Sequence, residues 1–284
     1  MLLRAFIRQR ARLSSALLAS LKRREDGIQV NGERVTVRRI LHTGDLVTLN
    51  FEDTHEAEKV TPVDLPISVV YEDDDILVVN KPPFMPTHPS FRHPDDTLAN
   101  AVAYYFARQN RPFVFRPISR LDRNTSGLVL LAKDRVAAGI LACAMRRGEI
   151  KKTYQALLDG RLSKHAGRLI TGIRRAPDTI IVREVTPPGA DGSDIAVTDY
   201  RVEKEGSYTL VTASPLTGRT HQLRLHFAYL GAPILGDDLY GRESADIPRQ
   251  ALHAACLTFT HPKSGEVLTL RAPLPADIAD LLDS

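Results

Sequence analysis

The run Arg120-Leu121-Asp122-Arg123-Asn124-Thr125-Ser126-Gly127 sets an acid between two arginines and opens into the apolar Leu128-Val129-Leu130-Leu131. Turn-forming residues followed by a branched apolar run place Asp122 where a strand begins. A carboxylate held there by its neighbours is presented as a nucleophile must be, although aspartates in such settings also cap turns. Distant segments therefore decide the matter. Lys151-Lys152-Thr153-Tyr154-Gln155-Ala156 puts a tyrosine in a strand that also bears lysines. Gly218-Arg219-Thr220-His221-Gln222-Leu223-Arg224-Leu225-His226 is dense in hydrogen-bond donors and leads into a helix. Ile234-Leu235-Gly236-Asp237-Asp238-Leu239-Tyr240-Gly241 forms a compact loop, and Val78-Val79-Asn80-Lys81-Pro82-Pro83 ends a strand in a proline pair, with Thr87-His88-Pro89 close behind.

An exposed aspartate ionises with a pKa of ~3.9. Burial without a partner raises that by up to ~3–5 units and leaves much of the acid inert at neutral pH, whereas a neighbouring guanidinium lowers it by about 1–3 units. A reactive Asp122 therefore calls for an arginine brought from elsewhere in the chain. Other chemistries lack their motifs: there is no glycine-rich phosphate loop, dinucleotide fingerprint, His-x-x-x-His pair or Gly-x-Ser-x-Gly elbow. The expectation is a reaction without metal or cofactor.

The elements that must position these residues follow from pattern. Residues 2–24 show two short helical stretches, marked by Leu2, Phe6 and Ile7 and then by Leu13, Leu17, Leu18 and Leu21, with Ser14 or Ser15 near the second start. Ile28-Gln29-Val30 precedes the hairpin signal Asn31-Gly32, Val35 and Val37 continue the return, and Gly44-Asp45 precedes Leu46-Val47-Thr48-Leu49. This predicts a small module over 1–51, an acidic proline-containing linker over 52–68 and a larger domain over 69–284. In the latter, strands are expected at 76–80, 128–133, 152–158, 179–184, 195–203, 207–213, 252–259 and 266–271. Helices are expected at 97–108, 135–147, 221–230 and 275–282. Strands and helices that do not alternate regularly indicate an α+β class with a largely antiparallel sheet.

The 284 residues suit one large domain plus a small one, and 43% hydrophobic with 25% charged residues supports a sizeable core. No apolar run approaches the ~18 residues of a membrane span, and the first twelve residues lack the pattern of a secretory signal. Cys143 and Cys256 match no metal spacing and read as reduced core residues. Cytoplasm is the expected location. The net charge of +4 is uneven: residues 1–40 carry +7, residues 41–80 carry −9 and the remainder +6. Two basic lobes around an acidic connector suit a polyanion gripped at two places.

Together the Arg120–Gly127 run, Lys152-x-Tyr154, Gly218–Arg224 and the Leu252-His253-Ala254 to His261-Pro262 segment resemble the RluA family of pseudouridine synthases, over about residues 69–277. Residues 1–51 resemble an S4-type RNA-binding module through Val30-Asn31-Gly32 and Gly44-Asp45. The resemblance implies a cofactor-free isomerase, monomeric, acting on uridines of ribosomal or transfer RNA. It implies Asp122 as the essential carboxylate, Arg219 as its guanidinium partner and Tyr154 as the ring that stacks on the target base. Attack at C1′, attack at uracil C6 and a glycal route all stay open. Arg120 would fill the space left by an everted uridine or hold phosphates, Leu225 would pack on the base or the tyrosine, and Lys81 and Arg224 would contact substrate. Arg219 could instead be a surface phosphate contact and Lys81 a strand-end surface lysine. His221, His226 and His253 read as structural. Phe84, Ser119 and Ala232 stand where many members have glycine, histidine and histidine. Two other readings compete: an RNA binder without catalysis, and a hydrolase pairing Asp122 with Asp237 or Asp238.

Overall fold

The computed structural model describes residues 1–9, 15–51 and 60–282, without the side chains of 15–17. Leu13, Ser14 and the side chain of Leu17 lie outside that description. Helices α1 (Leu3–Gln9) and α2 (Ser15–Arg23) pack on a three-stranded antiparallel sheet of order β2-β1-β3, formed by β1 (Ile28–Val30), β2 (Glu33–Arg34) and β3 (Val47–Leu49). Leu3, Ile7, Leu18, Leu21, Ile28 and Val30 form its core. Leu2, expected on the inner face of α1, is instead half exposed, and Leu3 takes that place. The Asn31-Gly32 turn has positive φ at both residues, 55° and 82°, as the tight hairpin requires. Val35 and Val37 pack on the core without joining the short β2.

The other strands form one ten-stranded sheet. They are β4 (Ser68–Glu72), β5 (Ile76–Lys81), β6 (Ser126–Ala132), β7 (Lys151–Leu158), β8 (Ala166–Arg175), β9 (Arg183–Thr186), β10 (Asp194–Glu205), β11 (Thr209–Pro215), β12 (Leu252–Thr260) and β13 (Val267–Arg271). The order is β4-β5-β6-β12-β7-β11-β10-β8-β9, with β13 paired to β12. Among the described strands only β6 and β12 run parallel, so the expected α+β fold with a largely antiparallel mixed sheet is observed. Helices are α3 (Leu98–Ala107), α4 (Arg135–Arg146), α5 (Gln222–Tyr229) and the short α6 (Ala276–Ala279).

Strands β5 and β6 are apolar throughout because both faces are covered. Leu77, Val79, Val129 and Leu131 face Leu98, Val102 and Phe106 of α3. The alternate residues Ile76, Val78, Leu128 and Leu130 face Ala137 and Leu141 of α4. Thr97 and Asn100 make a capping box at the start of α3, and the Asp134 carboxylate accepts from the Val136 and Ala137 amides at the start of α4. The two helices thus clamp the strand that carries Asp122 at its mouth.

Several expectations change. Strands β4 and β8 were not foreseen, and the strand expected at 179–184 begins at Arg183. β8 mixes two glycines and three arginines with a few apolar residues, and its eight-residue pairing with β10 overrides weak local propensity. Of the expected linker, residues 52–59 lie outside the described residues. The segment that follows is docked: the Val63 amide donates to the Asn100 carbonyl at 3.2 Å, and the Asn100 side chain donates to the Thr61 carbonyl at 2.9 Å. Cys143 and Cys256 are free thiols, half-buried rather than in the core.

Candidate active site

Gly127 fixes where Asp122 can be. It takes φ +116°, and a Cβ there would lie 2.4 Å from the Ala254 carbonyl oxygen of β12. Only glycine allows this approach of the two parallel strands. The neighbours of Asp122 are then tied to three other segments of the chain. Thr87 Oγ1 donates to the Leu121 carbonyl at 2.9 Å. Lys81 Nζ donates to the Arg123 carbonyl at 3.1 Å, Arg249 to the Asn124 carbonyl at 3.1 Å, and Gln250 to Thr125 Oγ1 at 3.2 Å. The Thr125 amide closes the turn on the Asp122 carbonyl. The Asp122 side chain, a third exposed, emerges from this frame into a cleft of about 1380 Å³.

The guanidinium that faces Asp122 belongs to Arg224, not to Arg219. Arg224 Nη1 lies 4.0 Å from Asp122 Oδ2. Arg224 Nε and Nη2 donate to Asp237 at 2.7 and 2.6 Å, and its guanidinium sits over the Tyr240 ring. Although burial opposes its charge, the bonds to Asp237 raise the Arg224 pKa, so the cation is secure. Arg219 precedes the helix: its Nε donates to the Ile195 carbonyl at 3.0 Å, and Nη1 lies 3.5 Å from Asp194. It lines the cleft wall as a part-exposed cation.

Tyr154 on β7 lines the same cleft and is 8% exposed. Burial raises its phenol pKa, and the charge of Asp122 adds to the effect, so the ring stays neutral and is a poor base. Leu223 packs in the core cluster that holds Tyr154 and also lines the cleft. Leu225, expected there, faces Ile173 and Ala196 on the other side of α5. Arg120 and Lys152 line the cleft as well.

Lys81 corrects both of its expected readings, since it is only 1% exposed and meets no solvent. Its ammonium donates to the carbonyls of Pro82, Met85 and Arg123 at 2.9, 2.8 and 3.1 Å. Three carbonyl acceptors use all three protons of the charged form. Burial pushes its pKa down to about 7, while Asp122 pulls it upward. Lys81→Met should leave these carbonyls without their donor and cost about 3 kcal/mol in urea unfolding. An unchanged midpoint would show that the lysine does not hold the loop.

The three histidines are structural in their contacts. His226 lies between Thr171 and Thr198, and His253 bonds Ser126; burial lowers both to about 4. His221 contacts Tyr240. Asp237 is fully buried and also accepts the Leu239 and Tyr240 amides. So engaged, it has no freedom to act as the second acid of a hydrolase. One group of described residues, Asp73, Asp75 and His261, could surround a metal ion. His261 Nδ1 accepts from the Lys263 and Ser264 amides, so its proton resides on Nε2, which faces Asp73 at 3.0 Å. That leaves no lone pair for a metal. Phe84 takes φ 64°, a left-handed conformation that glycine adopts without strain.

A cleft with a framed carboxylate, a facing guanidinium and a buried tyrosine, set beside a large mixed sheet, defines the pseudouridine synthase class of fold and site. Residues 75–229 match the family model "RNA pseudouridylate synthase". The chain is 39% identical over 271 residues to "Uncharacterized RNA pseudouridine synthase YjbO" of Bacillus subtilis (strain 168), covering 95% of this chain and 94% of that protein. It is 34% identical over 279 residues to "Ribosomal large subunit pseudouridine synthase D" of Haemophilus ducreyi, covering 91% and 83%. Among solved structures, "Human RNA Pseudouridylate Synthase Domain Containing 1" aligns with TM-score 0.60 at 27% identity, over 77% of this chain and 94% of that one. The chain belongs to the RluA family of RNA pseudouridine synthases and is an isomerase. No described helix is long and apolar enough to cross a membrane.

Leu223 and Thr87 fall in the segments singled out in the sequence but carry no role there, and Arg249 lies outside them. Arg224, expected as a substrate contact, is instead the partner that the fully buried Asp237 requires.

Proposed function

We propose that this chain isomerises uridines of ribosomal RNA, with Asp122 as the essential carboxylate, Arg224 as its counter-charge and Tyr154 as the stacking ring. The placement of Asp122 within reach of Arg224, in the cleft that Tyr154 lines, carries the reading. The C1′–N1 bond breaks, the uracil turns in the cleft, C1′ bonds to C5, and the proton that C5 gives up to solvent is matched by one that N1 takes from it. Arg224 Nη1 sets a positive charge 4.0 Å from the Asp122 carboxylate. Tyr154 supplies a face rather than a base, since its proton is held firmly. Extruding a base costs a few kcal/mol, and stacking on an aromatic ring returns roughly 1–3 kcal/mol, which favours loop uridines over paired ones. The ribosomal assignment draws on relatives such as the Haemophilus ducreyi protein; transfer RNA is the alternative outcome of the same assay. The test is tritium release from transcripts labelled at uridine C5. Release from ribosomal but not transfer RNA supports the assignment, and no release from either refutes it.

Arg219, freed from the role of partner, acts as a phosphate contact on the cleft wall beside Arg120. Residues 1–51 serve as an S4-like anchor. Arg4, Arg8, Lys22, Arg23, Arg34, Arg38 and Arg39 are exposed on this unit. Replacing Arg34, Arg38 and Arg39 with alanine should weaken binding to long RNA and reduce the slope of log K against log salt by up to about 2. An identical slope in both proteins would remove the anchor.

A further inference from the structure

Phe91 is 101% exposed at the tip of a tight turn. Ser90 and His93 exchange backbone hydrogen bonds of 2.9 and 3.0 Å, so Phe91 and Arg92 are the two residues that protrude between them. The turn is braced rather than loose. His93 Nδ1 lies 2.7 Å from Asp96, His88 packs edge-on against Phe115, and Thr87 is bonded to Leu121, the residue before Asp122. His88, Pro89 and Ser90 line the cleft, so the protruding pair stands at its rim. His88 also lies near Arg120: burial and the Arg120 charge both lower its pKa.

Burying a phenylalanine ordinarily contributes about 1.5–3 kcal/mol, and at full exposure none of that is realised. Folding therefore does not account for this ring. The adjoining wall is cationic, with Arg120, Arg123, Arg146, Arg147, Lys151 and Lys152 lining the cleft. An aromatic face beside an arginine, continuous with a basic groove, is the arrangement that receives an unpaired base and its phosphate. Asp95, exposed nearby, and Asp96 disfavour phosphate on their own side, which directs the strand toward Arg92 and the cleft.

We infer that Phe91 is a stacking platform for an unpaired RNA base flanking the target uridine, with Arg92 holding the adjacent phosphate. The inference rests on the RNA-modifying reading above. Stacking of this kind is worth roughly 5- to 150-fold in affinity. In tritium release from C5-labelled large-subunit ribosomal transcripts, Phe91→Ser should raise KM within that range with kcat held within about twofold. Phe91→Trp should restore KM. Loss of kcat at unchanged KM, or unchanged kinetics, would overturn the platform. Binding separates the two readings. A single-stranded RNA decamer containing 2-aminopurine should be quenched by wild type and by Asp122→Asn, and much less by Phe91→Ser. If wild type releases no tritium, the isomerase reading on these RNAs fails, and equal quenching by wild type and Phe91→Ser would sink the platform independently.

Discussion

Asp122→Asn should reduce tritium release by about 10⁴-fold or more, the scale on which removing a group from the covalent step of an enzyme acts. The substitution keeps the shape but turns one acceptor oxygen into a donor, and the frame of Thr87, Lys81, Arg249 and Gln250, which bonds other groups, has no reason to move. Asp122 is a third exposed and only 4.0 Å from its cation, so unfolding stability should change by less than about 1 kcal/mol. RNA affinity should hold or rise, because a negative charge leaves a phosphate-binding cleft. Release within tenfold of wild type would assign the chemistry to another group. Equal affinity with abolished release is the pattern that separates an enzyme from an RNA binder that keeps the fold.

Arg224→Met carries the second large effect, and it has two parts. It strands Asp237, which is fully buried, and should cost about 3–5 kcal/mol in urea unfolding. It also removes the only guanidinium recorded within 4.0 Å of Asp122 among the described residues, so release should fall as well. The double variant Arg224→Met, Asp237→Leu distinguishes them. Replacing a buried ion pair by apolar residues is often neutral, so much of the stability should return. Release should stay low, because Asp122 still lacks its counter-charge. Recovery of both would mean that Arg224 serves the fold alone. Arg219→Met, by contrast, should leave stability within about 1 kcal/mol, because its side chain is more than a third exposed.

Much of this arrangement is legible in the residues. The apolar Leu128–Leu131 run, with Gly127 before it, marks the strand that follows Asp122, and the helix caps at Thr97 and Asp134 mark where α3 and α4 begin. The donor-rich segment shows where legibility stops. His221 adopts a left-handed φ of 58° just before α5, a backbone turn that its residue type does not announce. Within the helix, Leu223 and Leu225 are about 200° apart, so only one can border the cleft. Nothing local distinguishes them, and the resemblance pointed to the wrong arginine and the wrong leucine. Lys81 illustrates the same limit. A lysine at a strand end reads as exposed until a proline-bearing loop folds over it and offers carbonyls. Strand β8 needed β10, which lies well downstream.

Arg249, which reaches the Asn124 carbonyl, has its guanidinium held from α6 by Asp277 at 2.7 and 2.9 Å. Ribosomes build chains from the amino end, so the turn bearing Asp122 emerges long before the acid that orients its anchor. A nascent polypeptide therefore carries every reactive group well ahead of a finished pocket. The last tie in the frame around that turn is supplied by one of the last residues to be made.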